Sequence, residues 1–270
     1  MFDRGIQIKT PEQIATMRSA GLVVGRTLEL LTAEVRAGMT TSDLDTIARD
    51  AIASAGATSN FLGYHGFPGV ICTSVNDEVV HGIPGDRVLR DGDIVSIDCG
   101  AVVDGWHGDA AVTVAIGEVP DEVTALLRAT EDAMWRGIAA ATIGGRVGDI
   151  SHAVETAIVS AGDYGIVEGY TGHGIGTEMH QAPDVPNYGK PRRGPKLVKG
   201  LALAVEPMVT LGTHQTRTLA DDWTVVTTDG SWAAHFENTF TLTDTGAWVL
   251  TALDGGRERL AALGVPYGGD

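Results

Sequence analysis

Residues 37–56, AGMTTSDLDTIARDAIASAG, return 106 residues later as residues 143–162, IGGRVGDISHAVETAIVSAG. In that alignment Asp43 matches Asp149 and Ile52 matches Ile158. Each copy follows a stretch of helical pattern, residues 11–34 and 121–141. Each also precedes a strand-like segment carrying an acid near its end, DIVSIDCG with Asp98 and GLALAVEP with Glu206. Two related helix-helix-strand halves that face each other bring both acids to one central sheet, where a duplicated fold usually carries its site. The repeat therefore predicts one domain over residues 1–270 of α/β (α+β) class, with pseudo-symmetric halves at about 10–118 and 119–253.

Working outward, Thr10-Pro11-Glu12-Gln13 offers a capping threonine, a proline at the first helical position and a glutamine three residues on, so a helix opens there. Ile14, Met17, Gly21, Val24, Leu28 and Leu31 then recur at spacings of three and four, one apolar stripe. A second helix is expected from about Asp43 to Ala55.

Composition narrows the function. With 43% hydrophobic residues in 270, the chain can bury a large core. The opening MFDRGIQIKTPEQI lacks the apolar run of a signal peptide, and no stretch approaches the ~20 apolar residues of a membrane span. A cytoplasmic protein without membrane attachment is expected. Cys72 and Cys99 each lie in an apolar segment and read as buried free thiols. A net charge of -16 argues against general nucleic-acid affinity. One stretch departs from that trend: YGKPRRGPKLVKG places Lys190, Arg192, Arg193, Lys196 and Lys199 in a Pro/Gly-rich loop, either simply solvated or a docking patch for an anionic partner.

The chemistry lies in four segments. In DIVSIDCGAVVDGWHGDAAVTVAIG, residues 93–117, two β-rich runs flank Asp104-Gly105, a favoured hairpin turn. That register sets Val103 opposite Trp106 and Gly100 opposite Asp109, so Asp98 and Asp109 share a face as diagonal neighbours roughly 7–8 Å apart. HFENTFTLT alternates, with Phe236, Phe240 and Leu242 on one face and His235, Glu237, Thr239 and Thr241 on the other. Glu206 ends an apolar strand, where an unpaired carboxylate needs a cation or a proton. TGHGIGTEMH adds His173 and His180. Asp98, Asp109, Glu206, Glu237 and one histidine form a hard, oxygen-rich set suited to a pair of Mn, Fe(II), Co or Zn ions, and a water between two such ions becomes acidic enough for hydrolysis.

VVHGIP, SIDCGAVVDGWHGDAA, TGHGIGTEMH, LALAVEPM and HFENT together resemble, in order, the signature regions of the type I methionine aminopeptidase family, over about residues 5–253. The resemblance implies the pita-bread fold, two pseudo-symmetric halves around a central antiparallel sheet, and removal of the N-terminal methionine from nascent polypeptides with small penultimate residues preferred. It implies two divalent ions held by Asp98, Asp109, His173, Glu206 and Glu237, with Asp109 and Glu237 bridging and Glu206 the general base. His180 would bond the scissile carbonyl, and His81 the penultimate backbone or the leaving amine. NFLGYHGFPGVIC and DDWTV would supply a methionine pocket of Tyr64, His65, Phe67, Cys72 and Trp223. Met179 stands where many bacterial relatives carry an aromatic residue, and Phe61 where some carry cysteine; both belong to that pocket. TLGTHQTRTLADDW lacks the lysines that bacterial relatives often carry there, so ribosome docking is expected through the 190–199 loop instead. A monomer is the family expectation.

Two other readings stand beside this one. Proline-directed aminopeptidases and dipeptidases share the fold but usually carry an extra N-terminal domain, whereas the first catalytic helix here opens near Thr10. A non-catalytic binding module would be expected to lose ligands. The start also has no zinc-finger cysteine pairs, which speaks for the short bacterial form.

Overall fold

The computed structural model describes residues 5–269; residues 1–4, part of the opening read for a leader, lie outside them. Helix α1 runs Pro11–Glu34 behind a complete capping box, in which Gln13 N donates to Thr10 Oγ1 and Thr10 N to Gln13 Oε1. Its six predicted stripe residues are all buried. Helix α2 runs Thr41–Ser54, two residues earlier than expected at its start, because TTSD is itself a capping box: Thr40 N donates to Asp43 Oδ2 and Asp43 N to Thr40 Oγ1. The second half repeats the pair as α3 (Asp121–Ala140) and α4 (Val147–Ala161). At the position matching Asp43, Asp149 accepts from Arg146 N at 2.8 Å. The internal echo is thus a repeated helix start as well as a repeated apolar pattern.

Both helix pairs pack on a nine-stranded sheet among the described residues, all its pairings antiparallel. Its central order is Ile94–Val103, Trp106–Ala115, Glu237–Leu242, Ala202–Val205 and Gly172–Gly174. One apolar cluster joins α1 and α2 to the first hairpin, with Val24, Leu44, Ile71 and Ile97, and a second joins α3 and α4 to the later strands, with Ile138, Ile150, Leu203 and Phe240. Gly21 explains a small residue inside the α1 stripe: a Cβ there would sit 2.2 Å from the Leu250 carbonyl oxygen, and one on Gly108 would meet the Gly21 backbone at 2.9 Å. Helix and hairpin therefore touch backbone to backbone just beside Asp109.

The hairpin has the predicted register, Val103 opposite Trp106 and Gly100 opposite Asp109. Asp104 and Gly105 both have positive φ, 49° and 78°, which matches the right-handed twist of the flanking strands. HFENTFTLT departs from the single alternating strand read from sequence. Ala233–His235 pairs with Met208–Thr210 in a separate three-stranded sheet, and Glu237–Leu242 begins anew in the large one. The chain changes sheets at Phe236, and both faces of the later strand are covered, so Thr239 and Thr241 are fully buried rather than solvated.

Candidate metal centre

Neighbouring strands of the large sheet deliver acids to one spot. Asp98 stands opposite Ala111, and Ala111 opposite Glu237, so the three form a row across the sheet with the smallest side chain in the middle. Asp109 lies two residues before Ala111 and shares its face. Glu206 follows directly on Ala202–Val205, whose Val205 faces Asn238. Asp109 is held from behind by Thr239: Asp109 N donates to Thr239 Oγ1 at 3.2 Å, and that hydroxyl donates to the Asp109 carbonyl at 2.8 Å.

His173 belongs to the next strand, Gly172–Gly174, where a Cβ on Gly174 would sit 2.3 Å from the Ala182 carbonyl oxygen. Only glycine permits that approach. The His173 Nδ1 lies 3.0 Å from the Gly174 carbonyl and donates to it, which leaves Nε2 as a lone pair 3.4 Å from Glu206 Oε1. His235 closes the far side, its Nε2 4.0 Å from both Glu206 Oε2 and Glu237 Oε2.

Burial pushes the Asp98 carboxyl up to about 7. It raises Asp109 well above the usual range, with further pressure from Asp98 and Glu206. Glu206 rises from burial and then Asp98, and Glu237 from burial and then Asp109, Glu206 and Asp98. The imidazoles move the other way. Burial and then His180 lower His173 and His81 to about 4, while burial and then His81 lower His235 to about 3. Among the described residues, no Lys or Arg pairs with any of the four acids. Asp98 Oδ1, Asp109 Oδ1, Glu237 Oε1 and His235 Nε2 are buried without a hydrogen-bond partner.

Four crowded acids, three of them with an orphaned oxygen, beside neutral imidazoles are what a divalent cation relieves. Asp109, His173 and Glu237 bring donor atoms within 4.8 Å of one another, as do Glu206, His235 and Glu237. The residues present fit such an ion.

The acids form the floor of a cleft of about 650 Å³, counting its open mouth. Phe61, Phe67, Cys72 and Met179 cluster as one buried wall, with Tyr64 and Trp223 packed against it. Phe67 meets Trp223 edge-on at 5.0 Å and Phe61 at 6.5 Å. His81 and His180 stand at the rim, and Tyr64 Oη lies 3.0 Å from His180 Nδ1. His65, expected in the pocket, is not among the residues lining the cleft; it is exposed, at a φ of 46°, with its ring edge-on to Tyr64 at 4.4 Å. Four lining residues had no role in the sequence reading: Val80, His235, Met208 and Tyr170, whose ring meets His81 edge-on at 5.6 Å. His235 was legible as the residue two before Glu237 on the same face; Tyr170 and Met208 carried no signal beyond adjoining a motif.

The sequence model of metallopeptidase family M24 matches residues 15–244. The chain belongs to metallopeptidase family M24. Within the family it groups with the methionine aminopeptidases. It is 52% identical over 247 residues to the methionine aminopeptidase of Clostridium acetobutylicum, covering 91% of this chain and 98% of that one. It is 49% identical to methionine aminopeptidase 1 of Mycobacterium tuberculosis, covering 92% and 96%. The methionine aminopeptidase structure from Thermotoga maritima superposes with a TM-score of 0.90 at 41% identity, covering 92% and 99%, and that from Rickettsia prowazekii with 0.89 at 39%, covering 91% and 99%. The prolidase from Pyrococcus furiosus shares the M24 fold at a TM-score of 0.73 and 20% identity, covering 90% of this chain and 65% of that one. The curled antiparallel sheet between paired helices is the pita-bread fold of M24 metallopeptidases.

Proposed function

We propose that this M24 metallopeptidase removes the N-terminal methionine from nascent polypeptides, with small penultimate residues preferred, as a single catalytic domain using two divalent ions. One observation carries the reading: the four acids and His173 line the same cleft as a wall of aromatic rings and two sulfur-bearing side chains. Such a wall suits an unbranched thioether.

Asp98, Asp109, His173, Glu206 and Glu237 would hold the ions. Bound Co, Mn, Fe(II) or Zn would supply Lewis acidity and lower the pKa of a nearby water. Glu206, at the end of its strand and facing the cleft, takes up the proton that the water gives up and passes it towards the leaving amine. With Tyr64 Oη donating to Nδ1, the neutral His180 carries its proton on Nε2 and donates it as a hydrogen bond to the scissile carbonyl oxygen, strengthening as that oxygen gains charge. His81, braced by the Tyr170 and Trp223 rings, contacts the penultimate amide. Phe61, Tyr64, Phe67, Cys72, Met179 and Trp223 enclose the methionine side chain and exclude water from it.

Among the described residues no helix is long and apolar enough to cross a membrane. The chain acts in the cytoplasm as a monomer and meets the ribosome through the basic 190–199 loop, without specific recognition of nucleic acid. Methionine release from Met-Gly-Met-Met tests the reading. Metal-stripped protein should regain activity on adding divalent ions, and Glu206→Ala should not; cleavage of Xaa-Pro peptides in place of Met-Gly ones would refute it in favour of a proline-directed enzyme.

A further inference from the structure

His235 has no place in the five-residue ligand set, yet its surroundings are those of a ligand. We propose that His235 is a sixth donor of the metal centre, its Nε2 joining Glu206 and Glu237 around a divalent cation so that the centre carries two imidazoles. The inference rests on the proposed reading of the four acids as metal carboxylates.

The first support is distance. His235 Nε2 lies 4.0 Å from Glu206 Oε2 and 4.0 Å from Glu237 Oε2. That is too far for a hydrogen bond. Two donors that each sit about 2.0–2.2 Å from one ion are separated by at most ~4.4 Å, and the three donor atoms lie within 4.8 Å of one another. The second support is isolation: the ring is 2% exposed, and Nε2 has no hydrogen-bond partner. A buried polar atom without a partner is costly unless something else satisfies it.

The third support is anchoring. His235 N donates to Thr113 Oγ1 at 2.9 Å, and that hydroxyl donates to the His235 carbonyl at 2.8 Å. Thr113 belongs to the strand that carries Asp109, so the imidazole is fixed to the same frame as the acids. Glu206 consequently lies between two imidazoles, His173 facing Oε1 and His235 facing Oε2. A second nitrogen donor favours Zn, Co and Fe(II) over Mn and Mg, which prefer oxygen.

Metal-stripped wild-type protein and the His235→Gln variant are titrated with Zn(II) and with Mn(II) by calorimetry, with circular dichroism to establish folding. The variant is expected to lose about tenfold or more in Zn(II) affinity and less than about threefold in Mn(II) affinity, and to change the visible absorption of the Co(II)-loaded protein. Equal Zn(II) affinities and superimposable Co(II) spectra would overturn the proposal. A measurement on wild type alone guards against a variant that does not fold: Co(II)-loaded protein should show two paramagnetically shifted imidazole N–H resonances, and a single one overturns the proposal. His173→Ala separates the two levels of the argument. If it leaves Zn(II) binding intact, or if the wild type binds neither ion, the reading of the acids fails and this inference falls with it.

Discussion

Tyr64 and His180 meet across the mouth of the cleft, with Tyr64 Oη 3.0 Å from His180 Nδ1. They come from segments 116 residues apart, and with the tyrosine hydroxyl as donor the contact favours the tautomer in which His180 presents Nε2–H to the substrate. Tyr64→Phe keeps the ring and removes that selection. It should lower kcat by about tenfold, equivalent to ~1.4 kcal/mol of lost transition-state stabilisation, with KM and thermal stability nearly unchanged. Steady-state kinetics on a Met-Gly peptide reads it; an unchanged kcat would mean that His180 needs no such orientation.

Metal removal should make stability depend on pH in a direction set by two opposed groups. The acids have folded pKa values raised above their unfolded ones, Asp98 to about 7, so their contribution is present at low pH and is lost as pH rises through the folded values. His81, His173 and His235 are depressed to about 4, 4 and 3, so theirs is present above about pH 6.5 and is lost as pH falls towards those values. Between about pH 4.5 and 6.5 the two slopes offset. Above that only the acids still titrate, and the metal-free protein should lose stability as pH rises from about 6.5 through about 7, where Asp98 ionises. Loaded protein should not, because cations stabilise the ionised acids. Thermal unfolding with and without chelator at pH 6.5 and 8 measures the gap, which should widen at the higher pH.

Thr239 is fully buried, and its hydroxyl is bonded on both sides to the Asp109 main chain. Thr239→Val preserves shape but leaves the Asp109 N–H and carbonyl unsatisfied. A loss of about 1–3 kcal/mol of stability is expected, with weaker metal binding because Asp109 is no longer held. Chemical denaturation and metal titration check the two parts separately.

Trp223 is half-buried and braces Phe67 and His81. Trp223→Ala should raise KM for methionyl peptides about tenfold while leaving kcat within about threefold, the pattern of lost uniform binding. A fall in kcat alone would place Trp223 with the reacting groups instead.

The 190–199 loop is tied down by its backbone, with Arg146 donating to the Gly194 carbonyl and Arg192 N to Asp149, while Lys190, Arg192 and Arg193 are exposed. Neutralising Arg192, Arg193 and Lys196 should weaken ribosome co-sedimentation and make its salt dependence shallower, and leave peptide cleavage intact. Unchanged sedimentation would remove this loop as the docking surface.

The sequence by itself determined what depends on local periodicity. Capping residues at Thr10 and Thr40 start helices through contacts three residues away, and a two-residue Asp-Gly turn sets a ten-residue register, so the relation of Asp98 to Asp109 could be counted out. The echo of residues 37–56 in 143–162 was legible for the same reason, since a repeated fold repeats its apolar spacing. Tertiary structure alone decided the rest. It turned His65 outwards at a left-handed backbone position, moved the chain from one sheet to another at Phe236, and set His235 against Thr113 and two acids. Those outcomes depend on pairings between segments as much as 122 residues apart, where packing rather than local propensity chooses among conformations of similar energy.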